Sequence, residues 1–134
     1  MVTTHSARED DKSARTIVVV EDDDGIGEFI VQAIQQETPH RAIRFADGYE
    51  AWNLMQYRRL QPDLLILDYN LPLMTGIELY DRIHARKEFE HIPVLIVSAY
   101  HRLCKEVAKT RNLPCLEKPF ALDDLLDMVE KLIV

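Results

Sequence analysis

The chain has 134 residues, 47% of them hydrophobic, which suits one domain with a real core and is too apolar for a disordered chain. A net charge of −7 argues against a basic nucleic-acid face, and no apolar run approaches the roughly 20 residues of a membrane span. Residues 1–15, MVTTHSAREDDKSAR, lack the apolar stretch of a signal peptide and read as a disordered N-terminal tail.

In chain order, TIVVV (16–20) is a continuous β-branched run, the mark of a strand buried on both faces. EDDDG follows, then Ile26, Phe29, Ile30, Ala33 and Ile34 at helical spacing. RAIRF (41–45) is a second, weaker strand. Asp47 and Glu50 have the spacing of a capping box ahead of a helix whose stripe is Ala51, Leu54 and Met55. DLLILD (63–68) is the most apolar strand, and Gly76 opens a helix carrying Ile77, Leu79, Tyr80 and Ile83. PVLIVS (93–98) is a fourth strand, and residues 102–111 form a short helix on Leu103 and Val107. PCLEK (114–118) is a short strand, and Leu122, Leu125, Leu126, Val129, Leu132 and Ile133 stripe the last helix. Strand and helix thus alternate five times. That order implies an α/β domain with a parallel sheet, helices on both faces and right-handed crossovers.

In such a sheet the site lies beyond the carboxyl ends of the strands. Glu21, Asp22, Asp23 and Asp24 follow strand one, Asp68 ends strand three, Ser98 ends strand four, and Lys118 ends strand five. Crowded carboxylates repel unless a cation neutralises them. A hard divalent ion with oxygen ligands is the natural remedy, and Mg²⁺ suits one or two carboxylates plus waters. A hydroxyl and an ammonium alongside would serve the oxygens of a phosphoryl group. The bland alternatives are a strand-ending turn residue for Asp68 and acids at a helix N-terminus for Glu21–Asp24. Asp23 and Asp24 fit the latter better than a ligand role.

The two cysteines, Cys104 and Cys115, show no CxxC or metal-ligand spacing, so they read as free thiols in a reducing compartment. The five histidines, His5, His40, His84, His91 and His101, share no ligand spacing and are expected at the surface. Trp52 sits beside the second helix's stripe and is expected to pack.

The paired acids after VVV, the block LLILDYNLPLMTG, then IVSA and EKPF occur in the order found in two-component response-regulator receiver domains, and the chain resembles that family over residues 16–134. The resemblance implies a doubly wound, flavodoxin-like (βα)5 fold with strand order 2-1-3-4-5. It implies that Asp68, the exposed tip of a hydrophobic strand, accepts a phosphoryl group from a sensor histidine kinase or histidine phosphotransfer protein. Mg²⁺ would be held by Asp22, Asp68 and the backbone carbonyl of Asn70, with Glu21 acting through water. Ser98 would bond a phosphoryl oxygen, and Lys118 would pair with Asp68 across a cis Lys118–Pro119 bond. The module would not be an enzyme. It would act in the cytoplasm by changing its binding to a downstream protein target, without direct contact to nucleic acid or membrane. A degenerate receiver serving only as a scaffold is the alternative reading. A haloacid-dehalogenase-type phosphatase would want an acid where Asn70 stands, and a flavodoxin-like cofactor binder would want a phosphate loop where EDDDG stands.

Three places depart from the family pattern. Cys115 stands where an aromatic residue usually precedes the lysine, so the usual switch rotor is missing. The Ser98–Lys118 segment is slightly short. Ala121 replaces a residue that often caps the last helix. The first two fall on the family's usual output face.

Overall fold

A computed structural model describes residues 14–133, so the expected tail falls almost wholly outside the described residues. Among these, five strands alternate with five helices: β1 (Thr16–Val20), α1 (Asp24–Glu37), β2 (Arg41–Phe45), α2 (Gly48–Gln56), β3 (Leu64–Asp68), α3 (Gly76–His84), β4 (Val94–Ser98), α4 (His101–Arg111), β5 (Cys115–Glu117) and α5 (Leu122–Leu132). All strand pairs are parallel, in the order β2-β1-β3-β4-β5, as expected. No helix of the described residues is long and apolar enough to cross a membrane.

The three apolar runs are the three central strands, and every residue of β1, β3 and β4 is buried. Side chains alternate between faces along a strand, and the core divides accordingly. Val18, Val20, Leu65, Leu67 and Ile96 pack with Ala51, Met55, Leu79, Ile83 and Val107 from α2, α3 and α4. Ile17, Val19, Ile66, Leu95 and Val97 pack with Ile30, Ala33, Ile34, Leu125 and Val129 from α1 and α5. Each such Leu or Ile contributes about 1.5–3 kcal/mol by leaving water. β2 is an edge strand with exposed and half-buried positions, which explains its weaker apolar signal.

The helices begin where short polar side chains can accept free N–H groups. Asp23 accepts from the Ile26 N–H at 2.9 Å and Asp47 from the Glu50 N–H at 2.9 Å. The complete reciprocal box forms at Thr75 and Glu78 instead, with bonds of 3.1 and 2.8 Å. Ala121 at the start of α5 makes no side-chain cap, leaving Asp123 and Asp124 to favour that end electrostatically. Trp52 packs edge-on to Phe89, a packing role as expected.

Two expectations are corrected. Cys104 and Cys115 are not free thiols: they form a disulfide, because the fold sets α4 against β5 and brings their Cα atoms to 5.2 Å, within bonding range. Nor are all the described histidines surface residues. His40 and His84 are half-buried, His40 Nδ1 accepting from the Arg15 N–H and His84 Nε2 bonding the Ile92 carbonyl, both at 3.0 Å.

Candidate functional site

The parallel topology brings the carboxyl ends of β1, β3, β4 and β5 to one edge. Asp68 still lies in the ladder, opposite Val97, and the next N–H, of Tyr69, donates to the Val97 carbonyl at 2.8 Å. Its backbone is therefore fixed on a central strand, and the residue is 5% exposed. The exposed tip expected from the sequence is thus a buried carboxylate: the ladder holds it low in the edge, and a neighbouring ammonium covers Oδ1. That ammonium belongs to Lys118, whose Nζ lies 3.2 Å from Asp68 Oδ1 and 2.8 Å from Glu21 Oε1. Lys118 follows β5 directly, its N–H donates to the Ser98 carbonyl at 2.8 Å, and the Lys118–Pro119 bond is cis.

Glu21 is the most buried acid of the group, 1% exposed. Its Oε2 accepts from the Asp23 N–H at 3.1 Å, while the ammonium alone serves Oε1. Burial raises the Glu21 carboxyl above the ordinary range; Lys118 pulls it down, and the neighbouring Asp68 pushes it up again. Burial likewise works against charge on Lys118, but the carboxylates of Glu21 and Asp68 outweigh it and raise the ammonium above its usual value. Asp22 points to solvent, and one oxygen from each of Glu21, Asp22 and Asp68 falls within 4.8 Å of the others. Three carboxylates against one ammonium leave unbalanced negative charge, and an all-oxygen donor set of this kind fits a hard divalent cation. Asn70 lies on the exposed turn just past Asp68.

Ser98 is 1% exposed, and its Oγ accepts from the Tyr100 N–H at 3.0 Å. That bond uses an acceptor lone pair and leaves the hydroxyl proton to donate elsewhere. Gly76 is needed for the close return of the loop after Asp68. A Cβ there would sit 2.3 Å from the Asp68 carbonyl oxygen, and the Gly76 N–H donates to the Tyr69 carbonyl at 2.9 Å.

One contributor escaped the sequence reading. Arg44 of β2 donates from Nε to the Glu21 carbonyl at 2.9 Å and pairs Nη1 with Asp24 Oδ1 at 2.9 Å. It lies across Gly27 of α1, where a Cβ would come within 2.3 Å of Nε. Arg44 thereby pins the backbone of the acidic loop from the side away from Lys118. The available signals were a charged residue inside RAIRF and a glycine inside an apolar helix, which only the β1–β2 pairing connects.

Known proteins agree with this geometry. The family model described as the response regulator receiver domain matches residues 17–130. The sporulation initiation phosphotransferase F of Bacillus subtilis (strain 168) is 32% identical over 117 residues, covering 86% of this chain and 90% of its own length. The sensor histidine kinase TmoS of Ectopseudomonas mendocina is 31% identical over 119 residues, 87% of this chain but 12% of that protein. Among solved structures, the Francisella response regulator 1452 receiver domain superposes with a TM-score of 0.75 at 29% identity, covering 89% of this chain and 96% of that one. Strand order, the acidic edge and these likenesses converge, and the chain belongs to the response-regulator receiver domains of two-component signalling.

Proposed function

We propose that residues 16–134 form a receiver in which Asp68 takes a phosphoryl group from the phosphohistidine of a sensor kinase or histidine phosphotransfer protein. The observation that carries this reading is the Glu21–Lys118–Asp68 arrangement, with one ammonium 2.8 and 3.2 Å from two buried carboxylates on strand ends. An Asp68 oxygen attacks phosphorus, the P–N bond of the donor breaks, and the leaving imidazole nitrogen keeps the bonding pair. Lys118 holds the attacking carboxylate before transfer and pairs with a phosphoryl oxygen afterwards. The Ser98 hydroxyl donates to a second phosphoryl oxygen. Fixed donors of this kind stabilise charge where it develops without having to reorganise.

Asp22, Asp68 and the Asn70 carbonyl are the residues that would hold Mg²⁺, with Glu21 acting through water. When bound, the ion supplies positive charge to the phosphoryl oxygens. The receiver then signals by altered binding to a downstream protein in the cytoplasm. The acidic balance of the chain, −7, speaks against direct contact with nucleic acid.

Incubation with acetyl phosphate, with and without Mg²⁺, followed by intact mass, tests this reading. The chain should gain one phosphoryl group only with Mg²⁺, and Asp68→Asn should gain none. Equal uptake by Asp68→Asn would move the acceptor elsewhere, and no uptake by the unaltered chain would leave the scaffold reading in place.

A further inference from the structure

The Cys104–Cys115 disulfide joins α4 to β5 between the two groups that flank Asp68. Ser98 ends β4, three positions before the first residue of α4, and Lys118 immediately follows β5. α4 has few other anchors. Only Cys104 and Val107 of the helix are buried, and Tyr100 at its start makes no side-chain cap. Arg111 reaches Asp81 of α3 with bonds of 2.9 and 2.8 Å at an exposed surface, and His101 reaches Glu117 at 2.6 Å, also exposed. A helix this short is marginal without tertiary support. The disulfide is therefore a main restraint on its position.

We propose that Cys104–Cys115 is a thiol–disulfide exchange site whose redox state sets how freely α4 moves against β5. The link to signalling rests on the function proposed above, since it assumes that occupancy of Asp68 must reach this face. It also gives the chemistry a setting: in a reducing cytoplasm a disulfide is transient and redox-sensing rather than permanent. The reductant is a dithiol, or two glutathione thiols. Cys115 is half-buried whereas Cys104 is 7% exposed, so the incoming thiolate attacks Cys115 Sγ. The S–S bond breaks, and Cys104 leaves as a thiolate and takes a proton. A second thiol attacks the sulfur of the reductant in the mixed disulfide and releases Cys115 as a thiol. Two electrons and two protons pass to the protein, and the reductant becomes a disulfide. A glutathione-type disulfide reverses the sequence.

The test uses the full chain. It is equilibrated across ratios of reduced to oxidised glutathione, trapped by alkylation and read by mass. Amide exchange is then measured for the oxidised chain, the reduced chain and the double variant Cys104→Ser/Cys115→Ser. The pair should interconvert within the glutathione range. Amides of 101–111 should exchange at least about tenfold faster on reduction, with the central strands unchanged. The double variant should match the reduced chain whatever the redox buffer. Beryllofluoride with Mg²⁺ should shift amides across 101–118 in the reduced chain and leave them nearly still in the oxidised one. A pair that stays bonded or stays reduced at every ratio overturns the proposal, as does exchange in α4 that ignores the bond. Phosphoryl uptake is read in both forms. Its loss in both would sink the proposed function, while the mass and exchange readouts still decide the redox site.

Discussion

The acidic edge at β1 and β3 and the outer edge at α4 and β5 are held by different means. At the first, position is set by backbone. Asp68 sits in a ladder between two buried strands, Gly76 brings the chain back against its carbonyl, and Arg44 grips the Glu21 carbonyl. At the second, β5 is laddered to β4, but α4 is held in place by side chains, namely one disulfide, the exposed His101–Glu117 contact and the Arg111–Asp81 ion pair, on a helix with two buried residues. Backbone restraints leave little freedom and suit groups that must be preorganised for charge. Side-chain links can be made and broken singly, which suits a surface that must change. The difference predicts large, local losses from substitutions at the first edge and small ones at the second.

The sharpest way to break this comparison is Gly76→Ala. A Cβ 2.3 Å from a backbone oxygen cannot be relieved by a rotamer change, so the loop or the Asp68 peptide must shift. The expected cost is about 3 kcal/mol, the upper part of the usual overpacking range. Thermal or urea unfolding measures it, and a loss near zero would show that the loop after Asp68 is not held by this approach.

Arg44→Ala comes next. It removes a charged hydrogen bond to a nearly buried carbonyl and empties the space over Gly27, for about 2 kcal/mol. If the residue positions the acidic loop, Mg²⁺ affinity should fall as well, and Arg44→Lys should recover part of the affinity. A variant that loses stability with unchanged Mg²⁺ affinity would reduce Arg44 to packing.

The sequence made the first edge largely legible and the second only in outline. β1, β3 and β4 announce themselves as apolar runs, because strands buried on both faces cannot alternate. A parallel sheet then places whatever stands at the carboxyl ends of its strands at one edge, which is how Glu21, Asp22, Asp68 and Ser98, and Lys118 at the end of the shorter run PCLEK, could be gathered from the sequence. The depth of Asp68 was not legible, since it depends on the ladder reaching Asp68 and on where Lys118 folds over. Arg44 was hidden because its contact crosses from an edge strand to a helix glycine. The cysteine pair was hidden because a spacing of 11 residues says nothing until the rotation of α4 on β5 is known.

Mg²⁺ itself sharpens the comparison further. Binding to the folded chain alone stabilises it by RT ln(1 + [L]/Kd), about 1.4 kcal/mol at ten times Kd. The gain should vanish in Asp22→Ala, which removes the exposed member of the carboxylate cluster. It should persist in Cys104→Ser/Cys115→Ser, because the disulfide touches none of those carboxylates. Thermal shifts across a Mg²⁺ series in the three proteins give the answer. A stabilisation lost with the cysteines would mean that the two edges are not separately built.

The smallest effect belongs to Glu117→Gln. The His101–Glu117 contact is short, at 2.6 Å, but its side chains are 65% and 46% exposed. Water screens the pair and competes for both partners, so exposed pairs of this kind contribute about 0.2–1 kcal/mol. While the disulfide is intact the contact is also redundant, because the covalent bond already fixes α4 against β5. The substitution should therefore cost less than about 0.5 kcal/mol in the oxidised chain. In the reduced chain the same contact is one of few remaining anchors, and its removal should speed amide exchange in the first turn of α4 more than it does in the oxidised chain. Measuring exchange for Glu117→Gln in both redox states tests this directly. Equal effects in the two states would mean that the His101–Glu117 contact and the disulfide act independently, and that α4 is positioned by the buried face of Val107 rather than by the links along its edge.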